Sequence, residues 1–227
     1  MKACLTLAAS VAGLAVVGLT APAGVALAAD PFNVTSSAYK DGDVWPAKFA
    51  GSDPSRTNPP CPGQNVSPPL AWSNAPAETK SFAIVMYDPD GGNGTGAVHW
   101  VAYGIPKTKT SLAEGEASAS PKDWVGGKNN VGTDHYFGPC GPSGHALHHY
   151  IITVMATSVE PGTLKAGMTR DELLAAMRGK SLAPASIVGR YTAVADAAAP
   201  ATQQHRRRPR HGAWLRSDVP IGSARQR

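Results

Sequence analysis

This chain carries none of the catalytic signatures that local spacing can reveal. A Gly-x-Ser-x-Gly nucleophile elbow, a P-loop, a paired Cys-x-x-Cys and a His-x-x-x-His accompanied by Glu are all missing, which removes the corresponding hydrolase, nucleotide, redox and zinc-protease readings. No internal repeat is visible, so a solenoid is excluded. The N-terminal apolar stretch at residues 5–19 is short and interrupted by Gly13 and Gly18, with Thr20 and Pro22 close behind, a poor match to a membrane span. Cysteine is scarce as well: only Cys4, Cys61 and Cys140 occur.

What that N-terminal segment does resemble is a secretory leader. Lys2 supplies the positive start, residues 5–19 the apolar middle and Ala26-Leu27-Ala28 a small-residue cleavage site. Residues 1–28 are therefore expected to be removed, giving a secreted, periplasmic or cell-envelope protein. Cys4 precedes the apolar region instead of following it, so it is not placed for lipidation and leaves with the leader. Cys61 and Cys140 remain, and in an oxidising compartment they are expected to pair, the alternative being two inert thiols. Closing a loop of that length would stabilise the fold by roughly 4–5 kcal/mol in the chain-entropy description.

The formal charge of +5 is misleading as a guide to partners. Residues 195–227 hold seven Arg and two Asp, whereas 29–194 hold thirteen basic and fourteen acidic residues. The basicity belongs to a tail, 194–227, whose composition reads as disordered; the run from His205 to His211 has no interleaved aromatics. The domain proper, 29–193, has no electrostatic case for nucleic acid. A membrane-surface role for the tail is the weaker alternative.

Within that domain, residues 51–69 contain six prolines and are expected to form an extended ordered loop. Residues 81–87 are apolar almost throughout and end in Asp88-Pro89-Asp90, as expected of a strand buried on both faces. Residues 98–105 and 150–157 are further strands, and 181–191 a short final one. Thr169 and Glu172 form a capping box opening one helix, with Gly179 as its stop. Residues 113–134 read as a long loop able to flank a pocket.

Two polar clusters could carry chemistry. Gly138 to Tyr150 shapes a Gly/Pro loop that ends in imidazoles; on a strand, His148 and Tyr150 share a face while His149 points away. Asp88 and Asp90, followed by His99, form the second. Imidazoles, a phenol and loop N–H groups would satisfy a phosphate or carboxylate, and the two carboxylates would suit a ligand that also bears a cation. Each feature has a plainer reading. Asp-Pro-Asp is a common strand-to-turn sequence, both histidines could be structural, and metal binding or Ser143 acting as a nucleophile with His148 has little support.

Taken together, Asn65 to Trp72, Tyr87 to Asp90, His99-Trp100-Val101, Gly138 to Gly144 with His148-His149-Tyr150, and Ser181 to Tyr191 resemble the phosphatidylethanolamine-binding protein family, in its bacterial Raf-kinase-inhibitor-like branch, in order across about residues 31–192. The resemblance implies a mainly β fold, a sandwich of two antiparallel sheets with short peripheral helices, around a small cavity for phosphate-like groups. Asp88, Asp90, His99, Gly138, Pro139, His148 and Tyr150 would line or support it. His99 and His148 would donate to the anion, Tyr150 would add its hydroxyl, Gly138 and the loop after it would offer backbone groups, and Asp88 and Asp90 would orient the histidines or meet an ammonium. The implied role is non-enzymatic: binding a phospholipid head group or a similar phosphate-bearing molecule, with no cofactor and no metal. A protein partner is also possible. The alternatives are a kinase- or protease-inhibitor-like module with a vestigial cavity, acting through a rim at 107–134, and, less favoured, a His- or metal-dependent hydrolase. The chain departs from the family pattern at Gly91 to Gly96, where Ala-Pro commonly stands, at His149 in place of Arg, and at Gly141 in place of Pro.

Overall fold

The computed structural model describes residues 30–57, 60–141 and 147–193. The expected leader, the basic tail and Ser143 lie outside the described residues. Eleven strands and two short α-helices are present among them. The strands are β1 (Asn33–Thr35), β2 (Asp43–Val44), β3 (Ser52–Thr57), β4 (Pro60–Pro62), β5 (Leu70–Ser73), β6 (Ser81–Asp88), β7 (Ala97–Pro106), β8 (Ser111–Leu112), β9 (Val125–Gly126), β10 (His148–Thr157) and β11 (Ser181–Tyr191). The helices are α1 (Gly91–Gly94) and α2 (Arg170–Ala176).

The mainly β expectation holds, with a refinement of the sheets. A six-stranded sheet runs β2-β11-β10-β6-β7-β9, a three-stranded sheet runs β1-β5-β8, and β3-β4 form a separate pair. Pairing is antiparallel except at β2, which runs parallel to the end of β11. The long strands owe their central place to composition: all of β6 is buried except Tyr87, so it needs cover on both faces. Phe82, Ile84 and Met86 face the three-stranded sheet, packing with Trp72, Trp100, Ile152 and Val154. Ala83 and Val85 face the other way, under Val101, Met155, Met168 and Leu173. Each such large side chain removed from water contributes on the order of 1.5–3 kcal/mol.

The helix α2 starts as its sequence predicts. Glu172 N–H donates to the Thr169 hydroxyl at 3.3 Å, and Thr169 N–H donates to the Glu172 carboxylate at 2.9 Å. It ends at Ala176, earlier than Gly179, which instead takes φ 70° in the turn leading to β11.

Two expectations need correction. Residues 51–69 are not loop throughout, because β3 and β4 lie within them; each strand of that irregular pair is an edge, where proline costs no ladder hydrogen bond. Residues 113–134 are not loop throughout either, since β9 lies within them, whereas the strand expected at 181–191 is present over that whole range. Pro184 is tolerated because β2 pairs only with Gly189 and Arg190, so the outer edge of β11 is unpaired by it at Pro184.

Candidate functional site

At one end of the large sheet, where β6, β7 and β10 converge, lies a cavity of about 810 Å³. Asp88, Asp90, His99, His148 and Tyr150 all line it. Asp88 is the last residue of β6, and the turn after it folds back on its carboxylate: Oδ1 accepts from Asp90 N–H at 2.9 Å and Gly91 N–H at 3.0 Å. Oδ2 accepts from Nδ1 of His148 at 2.9 Å and lies 4.0 Å from Nε2 of His99. With only 2% of its surface exposed, Asp88 is a buried, multiply bonded acceptor. The turn hydrogen bonds of the plainer reading and the histidine contact therefore coexist.

His148 opens β10 and is followed two residues on by Tyr150, on the same face as expected. Tyr150 is buried, stacked on Trp45 at 5.8 Å and meeting the edge of His99 at 5.1 Å. Burial first, and then the neighbouring Asp88 carboxylate, push its phenol far above the usual range, so it remains a neutral hydroxyl. His149 points outward to the rim, where its backbone N–H and Nδ1 both contact Asp90 Oδ2 at 2.9 Å. Those bonds from His149 hold the Asp90 carboxyl below its usual value.

His99 reaches the cavity through an irregularity. Tyr87 pairs with Val98 and Met86 with Trp100, leaving His99 as an extra residue in β7. This bulge turns His99 to the same side as Trp100, where strict alternation would have sent it to the opposite face. Its Nδ1 lies 2.9 Å from the Phe137 carbonyl, and its ring stacks on that of Phe137 at 6.3 Å. A carbonyl can only accept, so Nδ1 carries the hydrogen. Burial holds the imidazole below its ordinary value of 6.5, against the opposing pull of the Phe137 carbonyl and Asp88.

Gly138 and Pro139 support the wall from behind and do not line the cavity. The Gly138 N–H donates to Asn65 Oδ1 at 2.8 Å, and the Pro139 carbonyl accepts from Gly51 N–H at 2.8 Å. The expectation that Gly138 offers its N–H to a ligand is thus corrected: Asn65 already holds it. A glycine is needed at 138 because a Cβ there would sit 2.1 Å from the Phe49 carbonyl oxygen. Cys61 and Cys140 are joined in a disulfide across 79 residues, tying β4 to the loop that carries this wall.

Other lining residues escaped the sequence reading. Asn130 and Val131 come from the 113–134 segment, which its composition marks only as a whole as flanking a pocket; Asn130 Oδ1 accepts from Val98 N–H at 2.9 Å and so ties that segment to the edge of the bulged strand. Phe137 stands one residue before the singled-out Gly138, and its apolar character carried no signal. Among the described residues, the lining holds two carboxylates and two imidazoles but neither Lys nor Arg. That inventory is poor for a free dianion and better for a ligand that also carries an ammonium group or an acidic proton.

Comparison with known proteins bears on the family and the fold. The family model described as phosphatidylethanolamine-binding protein matches residues 35–192. A UPF0098 protein of Aquifex aeolicus is 36% identical over 159 residues, 70% of this chain and 86% of that one. A Mycobacterium tuberculosis protein carrying the lipoprotein name LppC is 36% identical over 139 residues, covering 60% of this chain and 62% of its own. Among solved structures, Escherichia coli YbcL, described as a new member of the mammalian PEBP family, superposes with a TM-score of 0.64 at 32% identity, covering 72% of this chain and 99% of that one.

Proposed function

This chain belongs to the phosphatidylethanolamine-binding protein family, and on that premise we propose that it is an exported, non-catalytic binding protein whose cavity takes a phospholipid head group or a similar small phosphate-bearing ligand. The observation that carries the reading is the convergence of His148 and His99 on Asp88 Oδ2, at 2.9 Å and 4.0 Å, at the inner end of one cavity. A carboxylate that orients an imidazole leaves its far nitrogen aimed at a ligand. Asp88 and Asp90 then favour a ligand with a cationic arm, and ethanolamine phosphates combine both charges.

Export is part of this reading. It is supported by the leader-like residues 1–28, by the disulfide, and by the lipoprotein name of the Mycobacterium relative. The domain responsible is 29–193, with the basic tail dispensable for the cavity.

Calorimetric titration with phosphorylethanolamine and inorganic phosphate tests the proposal. Binding should weaken by about 1.5–3 kcal/mol in His148→Ala, the worth of a charge-assisted hydrogen bond. A folded protein that binds neither compound would sink it and favour a module acting through its rim on a protein partner.

A further inference from the structure

Building on the binding reading above, we infer that the cavity recognises an oxyanion that retains an ionisable proton, a phosphate monoester in preference to a sulfate ester, and that His99 imposes this choice. Hydrogen-bond bookkeeping at the inner end of the cavity leads there. The Phe137 carbonyl and the Asp88 carboxylate are both pure acceptors, so the Nδ1 atoms of His99 and His148 that face them carry hydrogens. Each neutral imidazole consequently presents a lone pair at Nε2. Asp88 Oδ2, 4.0 Å from His99 Nε2, is a further acceptor, and among the described residues no Lys or Arg lines the cavity.

A fully deprotonated oxyanion also offers only acceptors, and acceptors do not bond to one another. The Tyr150 hydroxyl, the other donor at this end, is directed to the Asp88 carboxylate, so at least one proton has to be placed between ligand and site. The two histidines differ in their surroundings. His99 is the more deeply buried, packed between Phe137 and Tyr150 and facing Asp88 and His148, and burial disfavours its charged form. His148 is more open, and Asp88 Oδ2 lies directly on its Nδ1 at 2.9 Å. The complementary arrangement is one donor, His148 Nε2–H, and one acceptor, His99 Nε2. A phosphate monoester monoanion matches it by accepting from the first and donating its P–OH to the second. Asp90 is engaged by His149 at the rim and does not enter this pairing. A sulfate ester, the anion of a strong acid, has no proton to give and would leave His99 Nε2 against a sulfate oxygen. Sites built to accept a ligand hydroxyl reject analogues lacking it, by up to about 10⁴–10⁵-fold.

The test titrates the full chain with phosphorylethanolamine and with 2-aminoethyl hydrogen sulfate, which share the ammonium arm and differ in the acidic proton. The phosphate ester should bind at least about 100-fold more tightly near pH 6. Its affinity should then fall towards pH 8 as the dianion replaces the monoanion, whose proton leaves near pH 6. His99→Phe keeps a ring stacked on Phe137 and removes the acceptor, so the ratio between the two esters should shrink about tenfold or more. Equal affinities of the wild-type chain for the two esters would overturn the inference and leave the binding proposal standing. Failure of both esters to bind folded protein would overturn the binding proposal, and the inference with it. The wild-type comparison decides the matter even if His99→Phe does not fold.

Discussion

Asp88 Oδ2 lies 2.9 Å from Nδ1 of His148, which is 60 residues away in sequence, while Oδ1 of the same carboxylate holds the turn through the N–H groups of Asp90 and Gly91. One buried side chain therefore fixes both the geometry of the turn and the tautomer of the imidazole.

Replacing it tests that double role. In Asp88→Asn the side-chain oxygen can keep the two backbone N–H bonds, but the amide then presents a donor to a nitrogen that already carries hydrogen. His148 must move its hydrogen to Nε2 or lose the contact. Urea unfolding should register a loss of about 1–3 kcal/mol, the usual cost of a buried polar group left mismatched. Nitrogen NMR of His148 should report the hydrogen on Nε2, and an unchanged Nδ1–H signal would refute the pairing.

A pH dependence of stability follows from His99, whose folded pKa lies below its ordinary 6.5 because it is buried. As pH falls past 6.5, the unfolded chain takes up a proton at this residue before the folded chain does. Stability contributed by the neutral buried ring is thus fully present above that value and declines below it, until folded His99 also titrates. Denaturant midpoints measured between about pH 7 and pH 5 should fall more steeply for wild type than for His99→Phe. Parallel slopes would show that His99 is not the group responsible.

The disulfide closes a separation of 79 residues between Cys61 and Cys140. Reduction, or the double change to serine, should cost up to about 4–5 kcal/mol and lower the melting temperature. The loss should be accompanied by weaker ligand binding, because Cys140 itself lines the cavity. Two titratable thiols in unfolded, unreduced protein would contradict the bridge.

Gly138→Ala would place a methyl carbon 2.1 Å from the Phe49 carbonyl oxygen and 2.7 Å from the Gly51 nitrogen. Both obstacles are backbone atoms that cannot swing aside, so the wall must shift. A destabilisation of about 1–3 kcal/mol is expected in thermal or urea unfolding, in the range of other overpacked sites. Wild-type stability in this variant would mean that residue 138 does not pack against the backbone of Phe49 to Gly51.

The amino-acid sequence by itself determined the long strands, the capping box of α2 and the identity of the two polar clusters. These follow from local rules: a run such as residues 81–87 has no stable fate other than burial on both faces, and Thr169 with Glu172 satisfy free helical N–H groups wherever they occur. The face shared by His148 and Tyr150 was equally legible, because strand alternation has a period of two. The placement of His99 was not, since the same alternation predicts the wrong side for it. The bulge opposite Met86 and Tyr87 exists only as a mismatch between two strands, and no single segment encodes it. The same holds for the Gly138 N–H, claimed by Asn65 from 73 residues away, and for Phe137, whose carbonyl sets the tautomer of His99. Which polar groups are left to meet a ligand depends on partners brought together from distant parts of the chain, and tertiary structure alone decided that.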